Sequence, residues 1–245
     1  MTKPPAVPET ATNQANREMK SNPSGASPLH LWAGVLGLLG ALLVGTGEFL
    51  LHFDSLARYA EDGRYLFMSD ISVSRSNWGH FIAVLGIPLY IPGCWHLWCV
   101  TKTRHPVVAA VAATALGYGF FLGAVWIGSR ASAHALTHHT TLEEVRPLIE
   151  LYELRYETLL QGIRATTLVF SITFIGLVAM GRTSLPRWAA AFNPITSIAL
   201  AFALYFAVPE VGKYIMPIAL NVAFSMLFVV TLLTNSLPPK ASHEV

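Results

Sequence analysis

The chain has 245 residues, 53% hydrophobic and only 12% charged, with a mean hydropathy of +0.49. Soluble domains carry about 25% charged residues, so half that fraction excludes an ordinary water-soluble fold and predicts a polytopic membrane protein. A net charge of +2 with no Lys/Arg-rich run excludes a nucleic-acid partner, and two cysteines in one apolar stretch, Cys94 and Cys99, exclude a disulfide framework.

Residues 1–27 are rich in Pro, Ser, Asn and Thr without an apolar period, and are expected to form a disordered cytoplasmic tail. The first apolar run starts at Leu31 and is about 20 residues long, which suits a membrane-spanning helix. A cleaved signal peptide has a shorter apolar core directly after a basic region, so no cleavage is expected. Six spans are predicted, over about 30–52, 77–100, 106–130, 158–181, 188–209 and 214–234. The fold class is therefore all-α: a six-helix transmembrane domain over 28–235, with a short cytoplasmic tail at 236–245. Trp32, Trp78, Trp98, Trp126 and Trp188 fall near span ends, as interfacial anchors do.

Short loops set orientation. Lys102 and Arg104 lie in one short loop and Arg182 and Arg187 in another, both without acids. The longer connections, 53–76 and 131–157, carry most of the acidic residues. Both termini are accordingly expected in the cytoplasm of a plasma (inner) membrane. Glycines in the first and third spans, among them Gly34, Gly37, Gly40, Gly119 and Gly123, predict close helix packing.

The second span, within Ser76–Val100, carries Pro88 and Pro92 beside Gly86 and Gly93 and cannot be a uniform helix. Transporters often pair two interrupted helices. The fifth span is the expected counterpart, but it has only Pro194 near its start.

Between the third and fourth spans, Thr141 and Glu144 have capping-box spacing, with Pro147 shortly after. Leu148, Tyr152 and Leu159 are expected on one face and Glu150, Glu153 and Glu157 on another. A helix over 142–181 would be about 60 Å long, too long for the bilayer alone. An external amphipathic segment lying over the bundle is predicted.

Ionisable residues gather at one level. Glu48 and His52 are four apart at the outer end of the first span, and His80 begins the second from the same side. Arg130, His134 and His138 follow at intervals of four, with His139 adjacent. Arg164 lies at nearly the depth of Glu48, where the two would pair. Glu48 and His80 are the candidate catalytic residues. His52, His80, His134 and His138 are candidate ligands for zinc with an open position for water. Arg130, Arg164 and Asn221 are expected to line a substrate cavity. Glu48 alone could instead act as a metal-free acid or base.

On the cytoplasmic side, Cys94 is two residues from His96 and five from Cys99, so the three cannot share a helix face or a metal. Asn193-Pro194, and Pro217 with Asn221, place amides and helix breaks within the last spans.

The blocks GHFIAVLGIPLYIPGCWHLW, FNPITSIALAFALYFAVP and MPIALNVAFSMLF resemble those of a bacterial multi-pass membrane family of unknown function, a likeness covering most of 30–235. It implies the membrane fold and no chemistry. Ser76 with His80, and His134 with His138, resemble parts of the zinc motif of hydrolases related to alkaline ceramidases. The chain departs from that pattern: no Asp follows His80 in its span, the His pair is not in the last helix, and those proteins have seven spans.

The leading expectation is a membrane enzyme acting on a lipid or prenyl-type amphiphile at the outer leaflet, by metal or by acid–base chemistry. A binding or transport protein and a structural or assembly subunit are the alternatives. The expected partners are membrane lipids, with a homo-oligomer as a further option.

Overall fold

Apolar helix formers run through the chain, and every regular element among the described residues is helical. The computed structural model describes residues 28–58, 66–139 and 141–236. The tail expected over 1–27 and the residues beyond 236 lie outside that description. The helices are α1 (Pro28–His52), α2 (Val73–Gly86), α3 (Tyr90–Thr101), α4 (Pro106–His139), α5 (Leu142–Ala179), α6 (Pro194–Ala207), α7 (Pro209–Ile215) and α8 (Ala219–Ser236). Short 3-10 turns cover Leu66–Asp70, Ile87–Leu89, Arg187–Phe192 and Met216–Ile218.

Five helical units are long and apolar enough to cross a membrane: Pro28–His52, Val73–Thr101, Pro106–His138, Glu143–Ala179 and Pro209–Asn235. The segment expected as a sixth span, 188–209, is divided. Residues Arg187–Phe192 form a 3-10 turn, and Asn193 then caps α6 by accepting from the amides of Ile195 and Thr196. Pro209 ends the run, so α6 is an apolar helix of 14 residues. At 1.5 Å per residue that is about 21 Å, shorter than a bilayer core of about 30 Å.

Small residues decide how closely α1 approaches its neighbours. A methyl group on Gly37 would lie 2.7 Å from the Gly93 Cα, and one on Gly47 would meet the Gly79 carbonyl and the Ala83 nitrogen. Backbone cannot yield as a side chain does, so α1 seats directly on α2 and α3. The main core combines α1, α3, α4, α5 and α8 around Tyr90, Leu116, Phe174, Phe224 and Phe228.

The α5 helix begins as its capping box predicts. The Thr141 hydroxyl accepts from the Glu144 amide, and the Glu144 carboxylate accepts from the Thr141 amide. It runs through Pro147 for 38 residues, about 57 Å, to Ala179, and the chain turns away at Gly181. There φ is +64°, the Gly181 amide donates to Val178 and the Arg182 amide to Leu177. That pair of bonds is the Schellman closure, which favours glycine at this position.

The buried face of the first half of α5 is set one residue away from the expected one. Val145, Ile149 and Tyr156 are buried, while Leu148 is 45% exposed. They form a second apolar core with Phe67, Met68, Ile71 and Ala133. The Tyr156 hydroxyl donates to the Ser129 carbonyl, which joins α5 to α4. Periodicity shows that such a face exists, and the neighbours available to it decide its centre.

The connection between α1 and α2 is tied at several points. Arg58 donates to both Asp54 oxygens at 2.9 Å and to Asp70 at 2.7 Å. The Arg58 hydrogen bonds hold the Asp54 carboxyl below its ordinary range, against burial, which pushes the other way. Arg75 donates to the carbonyls of Phe49 and Phe53 at the end of α1.

Candidate functional site

Proline lacks an amide hydrogen and its ring clashes with the carbonyl four residues back, so a helix meeting one yields locally. The α2–α3 unit yields at Pro88, within the 3-10 turn Ile87–Leu89, and Tyr90 follows at the first position of α3. The α7–α8 unit yields at Pro217, within Met216–Ile218, and Asn221 follows near the start of α8. The counterpart of the broken second span is therefore the last span. The fifth, expected from Pro194, is not, because Pro194 sits at a helix start where it disturbs nothing.

Both breaks border one cavity of about 490 Å³. Ile87 and Tyr90 line it from the first break, and Met216, Pro217 and Asn221 from the second. Val44 and Glu48 come from α1, Leu116 to Ile127 positions from α4, Ile163, Arg164 and Thr167 from α5, and Ile198 and Phe202 from α6. Nearly all of these side chains are apolar.

The polar exceptions are Glu48, Tyr90, Trp126, Arg164, Thr167 and Asn221, and three of them are connected. Tyr90 donates its phenol hydrogen to Asn221 Oδ1 at 2.8 Å, and Asn221 Nδ2 donates to Glu48 Oε2 at 2.5 Å. Tyr90 is fixed by Phe120, stacked at 3.7 Å between centroids and 4° between planes, and Phe224 meets Phe120 edge-on at 4.9 Å. The phenol, amide and carboxyl thus form a hydrogen-bonded row from three helices on a rigid aromatic base. The row presents a hydrogen-bonding surface to a largely apolar space.

Two of the three expected cavity residues, Arg164 and Asn221, line this space together with Glu48, the expected catalytic carboxylate. The third, Arg130, stands behind Trp126, with its guanidinium 4.4 Å from the ring centre. The expected Glu48–Arg164 pair does not form. Glu48 accepts from Asn221 Nδ2 instead, and Arg164 approaches Glu157 at 3.8 Å. Glu157 is seven residues from Arg164 on the same helix, hence on the same face.

The expected zinc ligands do not converge. His134 Nε2 and His138 Nε2 both lie 2.8 Å from the Ile71 carbonyl oxygen. A carbonyl only accepts, so both imidazoles carry their proton on Nε2 and donate it. His52 is buried against Trp126, 5.5 Å between ring centres, and neither of its nitrogens has a hydrogen-bond partner of good geometry. His80 lies beside Phe81 and Gly128. Among the described residues no group of three or more His, Cys, Asp or Glu is placed to hold a metal ion. The donor set does not fit zinc, and the side chain of His139 lies outside the described residues.

Cys94, His96 and Cys99 do not form a site. His96 is fully buried, with Nδ1 2.8 Å from the His30 carbonyl and Nε2 3.1 Å from the Thr231 hydroxyl. Sequence reasoning missed Tyr90 and Trp126 as parts of the site. The available signal was position: Tyr90 falls two residues after Pro88 and Asn221 four after Pro217, where an interrupted helix points new groups into the space it leaves.

Five helices of membrane-crossing length, a largely apolar cavity among them and a polar row in its wall define an all-α membrane protein with an interior cavity. More particularly, the chain belongs to the Family of unknown function (DUF6796), whose model matches residues 19–236. No curated protein and no solved structure matches it. The likeness of Ser76, His80, His134 and His138 to ceramidase-type hydrolases thus gains no support from relatives, and the ligand geometry it implied is not formed.

Proposed function

We propose that this protein binds a lipid-like amphiphile within the membrane. The ligand's apolar part fills the cavity and its polar part meets the polar groups of the wall, the Tyr90–Asn221–Glu48 row and Arg164. The observation that carries this is the cavity's composition: about 490 Å³ of largely apolar space with a hydrogen-bonded row of Tyr90, Asn221 and Glu48 in its wall. Ligand pockets run from about 300 to 1,000 Å³ and have the same make-up. Leu168 and Phe202 line the cavity and are exposed, which favours entry sideways from the bilayer.

In this reading the chain sits in a plasma membrane, with α6 as a sixth, short crossing and both termini cytoplasmic. The acid-free loops holding Lys102, Arg104, Arg182 and Arg187 support that orientation. The acidic first half of α5 then stands outside.

A second reading is favoured by Glu48 itself. A carboxyl facing an apolar cavity, held by an amide, is suited to move a proton during isomerisation or cyclisation of a prenyl-type chain. It requires no metal.

The test is lipid content. A methyl group on Gly123 meets nothing within 4 Å, and Gly123 lines the cavity, so Gly123→Leu starts its side chain from open space and extends it into the cavity. Purified wild-type protein is expected to carry lipid in native mass spectra, and Gly123→Leu to lose it at an unchanged melting temperature. Equal lipid in both, or none in the wild type, refutes the binding role. Glu48→Gln separates the two readings. It leaves the bound species the same under binding and causes unreacted substrate to accumulate under catalysis.

A further inference from the structure

We infer that the ligand's polar end is anionic, a phosphate or carboxylate held by Arg164; this rests on the cavity's being an amphiphile site. The apolar part of α5 begins at Thr158, and Arg164 lies six residues inside it, about 9 Å along the axis. A guanidinium at that depth is costly unless it meets an anion or reaches the interface. Arg164 lines the cavity, and its side chain is 57% exposed.

Its partners within the protein are few. Among the described residues Arg164 donates no hydrogen bond, and Glu157 approaches it once, at 3.8 Å, near the outer limit for an ion pair. All five N–H groups of the fork therefore remain to be given, and a fork of this shape matches carboxylate and phosphate oxygens. Glu48 does not take the fork, since its carboxyl accepts from the Asn221 amide. Among the described residues that line the cavity Arg164 is the one cation, at the bilayer-facing rim beside the exposed Leu168. A single-chain anionic amphiphile satisfies both ends: its tail occupies the apolar space and its head takes the fork.

Binding to delipidated full-length protein in a neutral maltoside detergent tests this. Oleate and oleoyl lysophosphatidate are the anionic probes, and oleyl alcohol and mono-oleoylglycerol are their neutral counterparts. The wild type is expected to prefer the anionic probes by about tenfold, the worth of one charge-assisted hydrogen bond. Arg164→Gln is expected to abolish the preference while neutral probes bind as before, and Arg164→Lys to keep part of it. A preference absent from the wild type, or unchanged in Arg164→Gln, overturns the inference while leaving the cavity reading intact. Failure of all four probes to bind the wild type overturns both. The order of the two anions names the source: tighter lysophosphatidate indicates a phospholipid-derived ligand and tighter oleate a free fatty acid.

Discussion

Tyr90 and Asn221 stand 131 positions apart in the chain, and the phenol of one donates to the amide oxygen of the other at 2.8 Å. Each follows a proline-induced 3-10 turn, so two separate helix interruptions bring them together. Tyr90→Phe removes the donor and leaves the Asn221 oxygen facing an apolar cavity. Interhelical hydrogen bonds in membranes are worth about 0.6 kcal/mol on average and at most about 1.7. A loss in that range is expected from thermal or denaturant unfolding in detergent, together with weaker retention of lipid. An unchanged lipid complement in Tyr90→Phe would show that the row does not hold the ligand.

The α1–α2 contact gives a sharper steric prediction. Gly47→Ala places a methyl group against the Gly79 carbonyl and the Ala83 nitrogen, and neither belongs to a flexible side chain. Overpacking of this kind costs about 1–3 kcal/mol. Gly123→Ala, where the added methyl group meets nothing, is expected to be within about 0.5 kcal/mol of wild type. Comparing the folded monodisperse fraction of the two variants checks the contrast.

His134 and His138 both donate to one carbonyl, that of Ile71. Either alone still satisfies it, so each single alanine variant is expected to loosen the Leu66–Asp70 turn only slightly. The double variant leaves the carbonyl with neither donor and is expected to exceed the sum of the singles. Neighbouring groups sharing a partner are non-additive in this way. Hydrogen exchange at residues 66–72 measures it, and strict additivity would count against a shared anchor.

Acid is expected to open the same connection. Arg58 holds the Asp54 carboxyl below its ordinary value. The folded state therefore prefers the ionised form, and that stabilisation is complete above the unfolded pKa of about 3.9. It fades as pH falls through the lowered folded value. Proteolysis around residues 53–58 is expected to rise below about pH 4 in the wild type and to depend less on pH in Asp54→Asn.

Gly181→Ala is expected to cost about 1 kcal/mol, because φ there is +64° and the Schellman closure needs it. Unfolding in detergent reads this directly.

Much of this protein follows from sequence. The low charge and long apolar runs determine that it is a helical membrane protein, since a polar backbone in hydrocarbon must bond to itself. The Thr141 and Glu144 capping box and the exclusion of a Cys94–His96–Cys99 site are equally local, each being fixed by spacing along one helix. Glu48, Arg164 and Asn221 were also recognisable, because ionisable and amide groups in apolar helices stand out.

Tertiary structure alone decided which of them meet. A helix apolar nearly all round has no sequence signal for its rotation, so Arg164 and Glu48 at one depth did not have to be neighbours. The His134 and His138 rings turned to the Ile71 carbonyl because that acceptor lies in a connecting turn whose path no periodicity encodes. Likewise, Pro88 and Pro217 each announce a break, but only packing places the two breaks around one cavity, with Tyr90, Asn221 and Glu48 joined across three helices. Spacing along a helix fixes faces, and contacts between helices fix what those faces see.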